Sequence, residues 1–365
     1  MLRKSWIVIV IALVMLAFSF TGTSCFLSFS ALESVGGPDD GGDTLVPVER
    51  FVSAPPGFSG ECVPLTYQWE YRQGSGGKAV THSFALTFNM PEELYSYYSG
   101  IERAPISDYS VYVTHPSDDY VLQALVEELK KMAEEKGFDL LETANFAASF
   151  VQDVNSIAYA TDEVGEEYPK YPLETLRDKE GDCEDSSVLV AALLQLLGYD
   201  VVLISFPSIG EEYTGHMGVG VAGDFGGASY LYEGIDYYYL ETTDMWAVGE
   251  SPDGFESRQA IIYELEPIPV LTLTYFQWTV FHGQHTLTLE TTVRNWGTGE
   301  AEGAYIQVSF DGQFWVQSEA FDLQPSYEAK DIKVGLDLPS GEDALMVQLV
   351  HCQQVVDETE IDLEQ

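Results

Sequence analysis

The chain has 365 residues, of which 45% are hydrophobic, and it carries 59 Asp and Glu against 16 Lys and Arg. The formal net charge of −43 repels phosphate backbones and anionic headgroups, which argues against a nucleic-acid-binding protein. The 22 Tyr and 19 Phe indicate a globular, β-rich protein rather than a disordered one. A chain of this length can bury a large core and is expected to contain two domains.

The first 32 residues predict export. A basic segment, Leu2-Arg3-Lys4, precedes the uncharged apolar run Trp6–Phe20, which is the pattern of a signal peptide. If it is not cleaved, the stretch from Trp6 to Leu32 is long enough to anchor the protein in a bilayer. We therefore expect a cell-surface protein, either membrane-anchored or secreted. Residues 33–60, which begin with a Gly-, Pro- and Asp-rich stretch, are expected to be a flexible linker.

The four cysteines of an exported chain raise the question of disulfides. Cys25 lies in the signal region, which leaves Cys62, Cys183 and Cys352. An odd number of cysteines outside the cytosol suggests one free, functional thiol, and Cys183 is the best candidate for it. Cys62 and Cys352 either form a bridge or are small buried residues.

Residues 61–267 predict an α+β domain with a β-rich N-terminal extension. Alternating apolar residues over 62–90 predict two strands joined by a glycine-rich turn. Apolar residues with a 3.6-residue period predict helices at Asp118–Lys136, about Glu142–Ala158 and about Cys183–Leu197. Strands are then expected at Val201–Phe206, His216–Val221, Ser229–Glu233 and Tyr237–Thr242. Helices followed by antiparallel strands are typical of α+β proteins.

Residues 268–365 predict a second, all-β domain, because no helical pattern follows Pro267 and Pro269. The expected strands are Leu271–Tyr275, Thr286–Val293, Tyr305–Phe310, Lys330–Leu336 and Ala344–Val350. Short strands at this spacing, separated by Gly- and Pro-containing turns, predict an immunoglobulin-like β-sandwich.

Three residues of the first domain form a pattern typical of thiol enzymes. Cys183 opens a predicted helix, whose N-terminal N–H groups and dipole favour a thiolate. His216 shares a strand face with Gly218 and Gly220, which would leave space for the helix end to approach. Glu241, on a later strand, can accept the second ring N–H of His216 and fix its tautomer. Nucleophile, base and orienting acid in this order predict an activated thiol.

These residues lie in segments that resemble the transglutaminase-like superfamily of papain-like thiol enzymes. The resemblance covers about residues 110–250 and is carried by Gly181-Asp182-Cys183-Glu184-Asp185, Gly215-His216-Met217-Gly218-Val219 and Tyr239-Leu240-Glu241-Thr242-Thr243. It implies a core of helices packed on an antiparallel sheet. Family members more commonly have Asp where this chain has Glu241, and the longer Glu side chain can serve the same role.

The resemblance implies a reaction in which Cys183 attacks an amide carbonyl, His216 transfers the proton and Glu241 orients the imidazole. The thioester would pass to water in a peptidase or amidase, or to an amine in a cross-linking transglutaminase; hydrolysis is preferred. The substrate would be a protein or peptide, expected at the cell surface. The backbone N–H of Cys183 is the expected oxyanion donor. Gln152 is a second candidate, but a packing or capping role is preferred for it. The alternative from another class is a catalytically inactive surface module for binding or adhesion.

The acidic residues around Cys183 also resemble bacterial transglutaminase-like cysteine proteinases that clip surface adhesins, in which such carboxylates bind calcium. The resemblance implicates Asp182 and Glu184, and it leaves Asp185 open. Carboxylates beside a thiolate should raise its pKa, and a bound Ca²⁺ would remove that conflict. In the simpler alternative, Asp182 caps the helix and the other two favour its first turn. No cofactor is required for the reaction, and Ca²⁺ enters only as an option that this resemblance adds.

Overall fold

The computed structural model describes residues 26–35, 44–53, 61–74, 79–103, 106–117, 119–162, 168–208, 215–252, 254–255, 258–325, 329–341 and 344–363. For 26–35 and 44–53 the backbone alone is described. The described helices are α1 (Glu92–Ser99), α2 (Ser110–Val113), α3 (Asp119–Lys136), α4 (Leu140–Gln152), α5 (Pro172–Asp178) and α6 (Cys183–Leu196). They all precede residue 200, and the chain is then built from strands, so the fold class is α+β.

The strands that precede or accompany the helices form an N-terminal sheet and a short parallel pair. They are β1 (Phe26–Val35), β2 (Thr44–Ser53), β3 (Cys62–Gln73), β4 (Val80–Pro91), β5 (Ala158–Tyr159) and β6 (Glu180–Gly181). The sheet has the antiparallel order β2-β1-β4-β3, and β5 pairs with β6 in parallel. The hairpin expected over 62–90 is therefore confirmed as β3 and β4.

Two parts of the expected signal and linker fall in this sheet. β1 pairs with both β2 and β4, so these segments are paired strands and differ from the flexible linker expected over 33–60. The apolar run Trp6–Phe20 and the remainder of the linker lie outside the described residues. In the part of the chain that is described, no helix is long and apolar enough to cross a membrane.

A five-stranded antiparallel sheet positions the candidate site. Its strands are β7 (Val201–Phe206), β8 (His216–Ala222), β9 (Ser229–Tyr232), β10 (Ile235–Leu240) and β11 (Ile261–Glu264), in the order β11-β7-β8-β10-β9. Helix α6 packs on one face, where Met217 and Val219 of β8 join the main hydrophobic core. Phe206, Tyr237 and Tyr239 form a separate cluster on the other face. The apolar residues of α6 and the alternation of β8 thus place the start of α6 beside the start of β8.

Helix α4 begins and ends earlier than the expected Glu142–Ala158. It begins after Asp139 because the Asp139 carboxylate accepts the Glu142 N–H while Glu142 accepts the Asp139 N–H, a reciprocal cap. It ends at Gln152 because the next side chain, Asp153, accepts the main-chain N–H of Glu70 at 2.8 Å and ties the helix end to β3. Apolar periodicity gives no information about either of these polar contacts, so it does not locate the two ends of α4.

The C-terminal part is all-β. Its strands are β12 (Leu271–Phe281), β13 (Thr286–Asn295), β14 (Ala301–Ser309), β15 (Val316–Gln317), β16 (Phe321–Leu323), β17 (Ala329–Asp337), β18 (Ala344–His351) and β19 (Gln354–Asp362). One antiparallel sheet is β12-β13-β17 and the other is β15-β14-β18-β19, with β16 paired to β14. Both sheets contribute to one core, separate from that of the helices. The immunoglobulin-like assignment and the domain boundaries stay predictions.

Neither of the two alternatives for Cys62 and Cys352 is found, because they are not bridged to each other and neither is a buried residue. Cys62 is disulfide-bonded, whereas Cys352 is a free, exposed thiol. The two residues also belong to different parts of the fold, because Cys62 starts β3 and Cys352 lies in the turn between β18 and β19. Cys183 is the other free cysteine of the described chain.

Candidate active site

Cys183 is the first residue of α6, and its sulfur lies against the start of β8. The main-chain N–H of Met217, the residue after His216, hydrogen-bonds to the sulfur. The thiol itself donates to Oε2 of Glu184 at 3.2 Å. The tertiary structure therefore brings the predicted nucleophile to the strand that begins with the predicted base.

The surroundings of Cys183 oppose its ionisation. Burial raises the pKa of the thiol, and the charge and hydrogen bond of Glu184 raise it further, as does the charge of Asp182. The Met217 N–H acts in the opposite direction but does not compensate. The helix N-terminus alone therefore does not make Cys183 a thiolate. The expected effect of the neighbouring carboxylates, which is to raise the pKa of the thiol, is present.

His216 and Glu241 are joined by a hydrogen bond of 3.0 Å between Nε2 and Oε2. This contact forms because β8 and β10 are adjacent antiparallel strands, with Val219 opposite Leu240. A carboxylate acceptor at Nε2 places the ring proton there in the neutral imidazole. Nδ1 is then the nitrogen that can accept a proton.

The Glu241 carboxylate is surrounded by hydrogen-bond donors. Oε2 also accepts from the Tyr239 hydroxyl at 2.8 Å, and Oε1 accepts from the Thr242 N–H, the Thr243 N–H and the Thr243 hydroxyl at 3.0, 3.1 and 2.7 Å. Burial alone would raise the pKa of this carboxyl, which is 4% exposed. The hydrogen bond and charge of His216, with the two hydroxyls, outweigh burial and lower the pKa to about 2. Glu241 is therefore ionised at neutral pH.

The glycines of β8 have a different role from the one expected. A Cβ on Gly218 would lie 2.6 Å from the Tyr239 ring, and one on Gly220 would lie 2.8 Å from Val202. The glycines thus leave space for the side chains of Tyr239 and Val202 on one face of β8. Helix α6 packs on the opposite face. The expectation that they admit the helix end is wrong, because side chains of a strand alternate and α6 lies on the Met217 side.

Aromatic residues that sequence reasoning missed enclose the His216 ring. Phe206 stacks with it at a centroid distance of 6.5 Å, and Phe255 meets it edge-on at 5.5 Å. Tyr159 lies near Cys183, since burial and then the charges of the thiol and of its acidic neighbours raise the pKa of the Tyr159 hydroxyl. These residues come from separate stretches of the chain, and no local motif marks them.

Three carboxylates converge beside Cys183. One oxygen from each of Asp162, Asp182 and Glu184 lies within 4.8 Å of the others. Oδ1 of Asp182 is buried without a hydrogen-bond partner among the described residues, and its side chain makes no capping bond to α6. Burial, followed by the hydrogen bond and charge of Asp182, raises the pKa of Glu184 to about 9. A set of carboxylate oxygens with one acceptor unused fits a hard cation such as Ca²⁺.

Asp185 and Asp162 differ from the sequence-based expectation in opposite ways. Asp185 lies outside the carboxylate group, because its Oδ1 accepts the Lys170 N–H at 2.7 Å. Asp162 belongs to the group but lies 20 residues before Asp182 in the chain. It is brought there by the parallel pairing of β5 with β6, which the sequence does not indicate.

Gln152 is not an oxyanion donor. Its Nε2 donates to the main-chain oxygens of Glu241 and Trp246 at 2.7 and 2.9 Å. Both amide protons are therefore used within the fold, in agreement with the preferred packing role rather than with oxyanion donation. The main-chain N–H of Cys183 stays the predicted donor.

No protein-family model matches the chain, and no curated protein matches it. Among solved structures, the chain is similar to red sea bream transglutaminase, with 11% sequence identity and a TM-score of 0.26. The match covers 92% of this chain and 77% of that chain. It is a weak likeness to a transglutaminase fold.

Proposed function

We propose that this protein is an exported thiol enzyme that hydrolyses peptide or amide bonds. Cys183 is the nucleophile, His216 the general base and Glu241 the acid that orients the imidazole. The observation that carries the proposal is the 3.0 Å bond between His216 Nε2 and Glu241 Oε2 beside a thiol held by the Met217 N–H. A nucleophile, a base and a third group that orients the base are the parts of covalent catalysis.

In the proposed reaction, Cys183 carries the acyl group and His216 transfers the protons. Nδ1 of His216 takes the thiol proton as the Cys183 sulfur forms a bond to the carbonyl carbon, and the carbonyl electron pair moves onto oxygen. The Cys183 N–H donates to this oxyanion. His216 returns the proton to the leaving amine, so the C–N bond breaks and a thioester remains. Water then attacks, gives its proton to His216 and releases the carboxylic acid and the thiol.

The substrate we propose is a protein or peptide at the cell surface. The basic segment and apolar run before residue 21 support export, and the disulfide of Cys62 supports an oxidising compartment. The net charge of −43 supports a non-nucleic-acid partner.

Incubation of the purified full-length protein with cell-surface proteins should generate new protein N-termini that are absent with Cys183→Ser. Mass spectrometry of labelled termini measures this, and a parallel reaction with an excess of a primary amine measures transfer. New termini support the peptidase. Incorporated amine without new termini would identify a cross-linking enzyme instead. A protein that produces neither, and whose Cys183 does not react faster than a free thiol, would be a binding module.

We further propose that Asp162, Asp182 and Glu184 hold Ca²⁺. The support is their mutual approach within 4.8 Å and the unused Oδ1 of Asp182. The ion would supply positive charge beside the thiol, which would offset the effect of these carboxylates on Cys183. The carboxylates bind and orient, and the proton transfers remain with His216.

Saturating Ca²⁺ should raise the melting temperature and speed alkylation of Cys183 by about 10-fold relative to a chelator, which corresponds to one pKa unit of the thiol. Asp162→Asn should remove most of both effects, because it deletes one ligand charge at a residue that is distant from Cys183 in the sequence. Glu180→Gln is the matched control, since Glu180 is an exposed carboxylate close in sequence but outside the group. Equal responses of the two variants would exclude this calcium site.

A further inference from the structure

The last residue of α4, Gln152, joins that helix to the segment that follows β10. Its side chain is 8% exposed, and its single amide nitrogen bridges two main-chain oxygens, those of Glu241 and Trp246. One side chain therefore closes the turn of residues 241–246 from both ends. A buried amide whose two protons are both used is costly to replace, because either carbonyl would lose its partner.

Polar bonds join α4 to this turn and to the residues that follow it. A crevice of about 530 Å³ lies there, lined by residues of both sides that include Ser149, Trp246 and Glu250. A second bond crosses it, from the Val248 N–H to Oδ1 of Asn145 at 2.8 Å. Asn145 and Gln152 are seven residues apart and share one face of α4. Two amide side chains of α4 thus hold this segment, Gln152 the turn itself and Asn145 the residues just after it.

The position of this turn determines the position of the Glu241 carboxylate. Oε1 is bonded to the main-chain N–H groups of Thr242 and Thr243, so the carboxylate moves with the backbone of the turn. Its other oxygen is 3.0 Å from Nε2 of His216. A displacement of about 1 Å would take this pair beyond hydrogen-bond distance.

We propose that Gln152 is a positioning residue that holds Glu241 in hydrogen-bonding reach of His216. It touches neither substrate nor the reacting atoms and acts through the Glu241 carbonyl oxygen. The inference rests on the proposed function for its effect on turnover, but its effect on Glu241 can be measured without turnover.

The test is Gln152→Met, which keeps the length of the side chain and removes both hydrogen bonds. We expect kcat to fall by about 10-fold or more with little change in KM, since a misplacement of 1 Å can cost on the order of 100-fold. Carbon NMR of the Glu241 carboxyl should show its pKa rising toward the ordinary value. Gln152→Glu, whose carboxylate cannot donate, should have the same two effects if Gln152→Met does not fold.

Gln195→Met is the matched control, because Gln195 of α6 also donates from Nε2 to a main-chain oxygen, that of Leu265, at 2.9 Å. It should leave kcat and the Glu241 titration as in the wild type. Loss of kcat in both variants in proportion to lost stability, or an unchanged Glu241 titration in Gln152→Met, would overturn the inference. A wild-type protein without turnover whose Glu241 titration still depends on Gln152 would refute the proposed function and leave the positioning role standing.

Discussion

His216→Ala is expected to lower kcat/KM by roughly 10²- to 10⁴-fold, the range that a positioned general base contributes. Burial and Glu184 keep the Cys183 thiol protonated, so the nucleophile depends on a neighbouring base to accept its proton. Alkylation of Cys183 by iodoacetamide at neutral pH, followed by mass spectrometry, measures the same dependence without a substrate. Labelling of Cys183 by iodoacetamide should be saturable in the wild type and slow in the variant.

His82→Ala is the control for this experiment. His82 also makes one side-chain hydrogen bond, 3.0 Å from Nε2 to Oε1 of Gln73, but it lies on β4, outside the site. Cys183 of the His82→Ala variant should be alkylated at the wild-type rate. Slow labelling that is the same in the wild type and both variants would mean that Cys183 is an inert thiol, and the proposed enzyme would be wrong.

Glu241→Gln is expected to lower kcat by on the order of 10³- to 10⁴-fold, as an amide in place of the acid of a triad does. Oε1 of Glu241 accepts from three donors, and two of them are main-chain N–H groups, which cannot act as acceptors. The amide oxygen of Gln must therefore take that place, and its NH₂ group must face Nε2 of His216. The imidazole then carries its proton on Nδ1, so the nitrogen that should accept the thiol proton is blocked.

The same variant has a consequence for stability that depends on pH. The pKa of Glu241 is lowered from its ordinary 4.5 to about 2, so its ionised form stabilises the fold. This contribution, on the order of 3 kcal/mol, is present above about pH 5 and is lost as the pH falls toward 2. Urea unfolding from pH 7 to pH 3 should show the stability difference between wild type and Glu241→Gln shrinking with acidification. A difference that is constant across this range would contradict the proposed environment of Glu241.

Local patterns predicted the elements that carry the candidate triad. The start of α6 at Cys183 and the bounds of β7 agree with the sequence-based expectation, and β8 begins at His216 as expected. Apolar periodicity succeeds here because α6 and the central strands are buried along continuous faces. It was less accurate for α4, where the polar contacts of Asp139 and Asp153 decide both ends.

Long-range contacts decided how these elements work together. The neighbours of the site that the sequence did not indicate are Asp162, Tyr159, Phe206 and Phe255. The two main-chain partners of Gln152 were not indicated either. Each arrives through a strand pairing or a helix packing that joins distant segments. Register and crossovers depend on the whole core, and a single sequence contains no local signal for them.

The sequence by itself determined the order of nucleophile, base and acid, the acidic character of the surface and the places where the main helices and strands begin. The tertiary structure alone decided that β8 and β10 are neighbours, so that His216 and Glu241 meet at 3.0 Å. It also decided that the glycines of β8 face Tyr239 and that burial and neighbouring carboxylates raise the pKa of the Cys183 thiol. Chain order and periodicity are local properties, whereas burial, desolvation and charge proximity exist only once distant residues have been packed together.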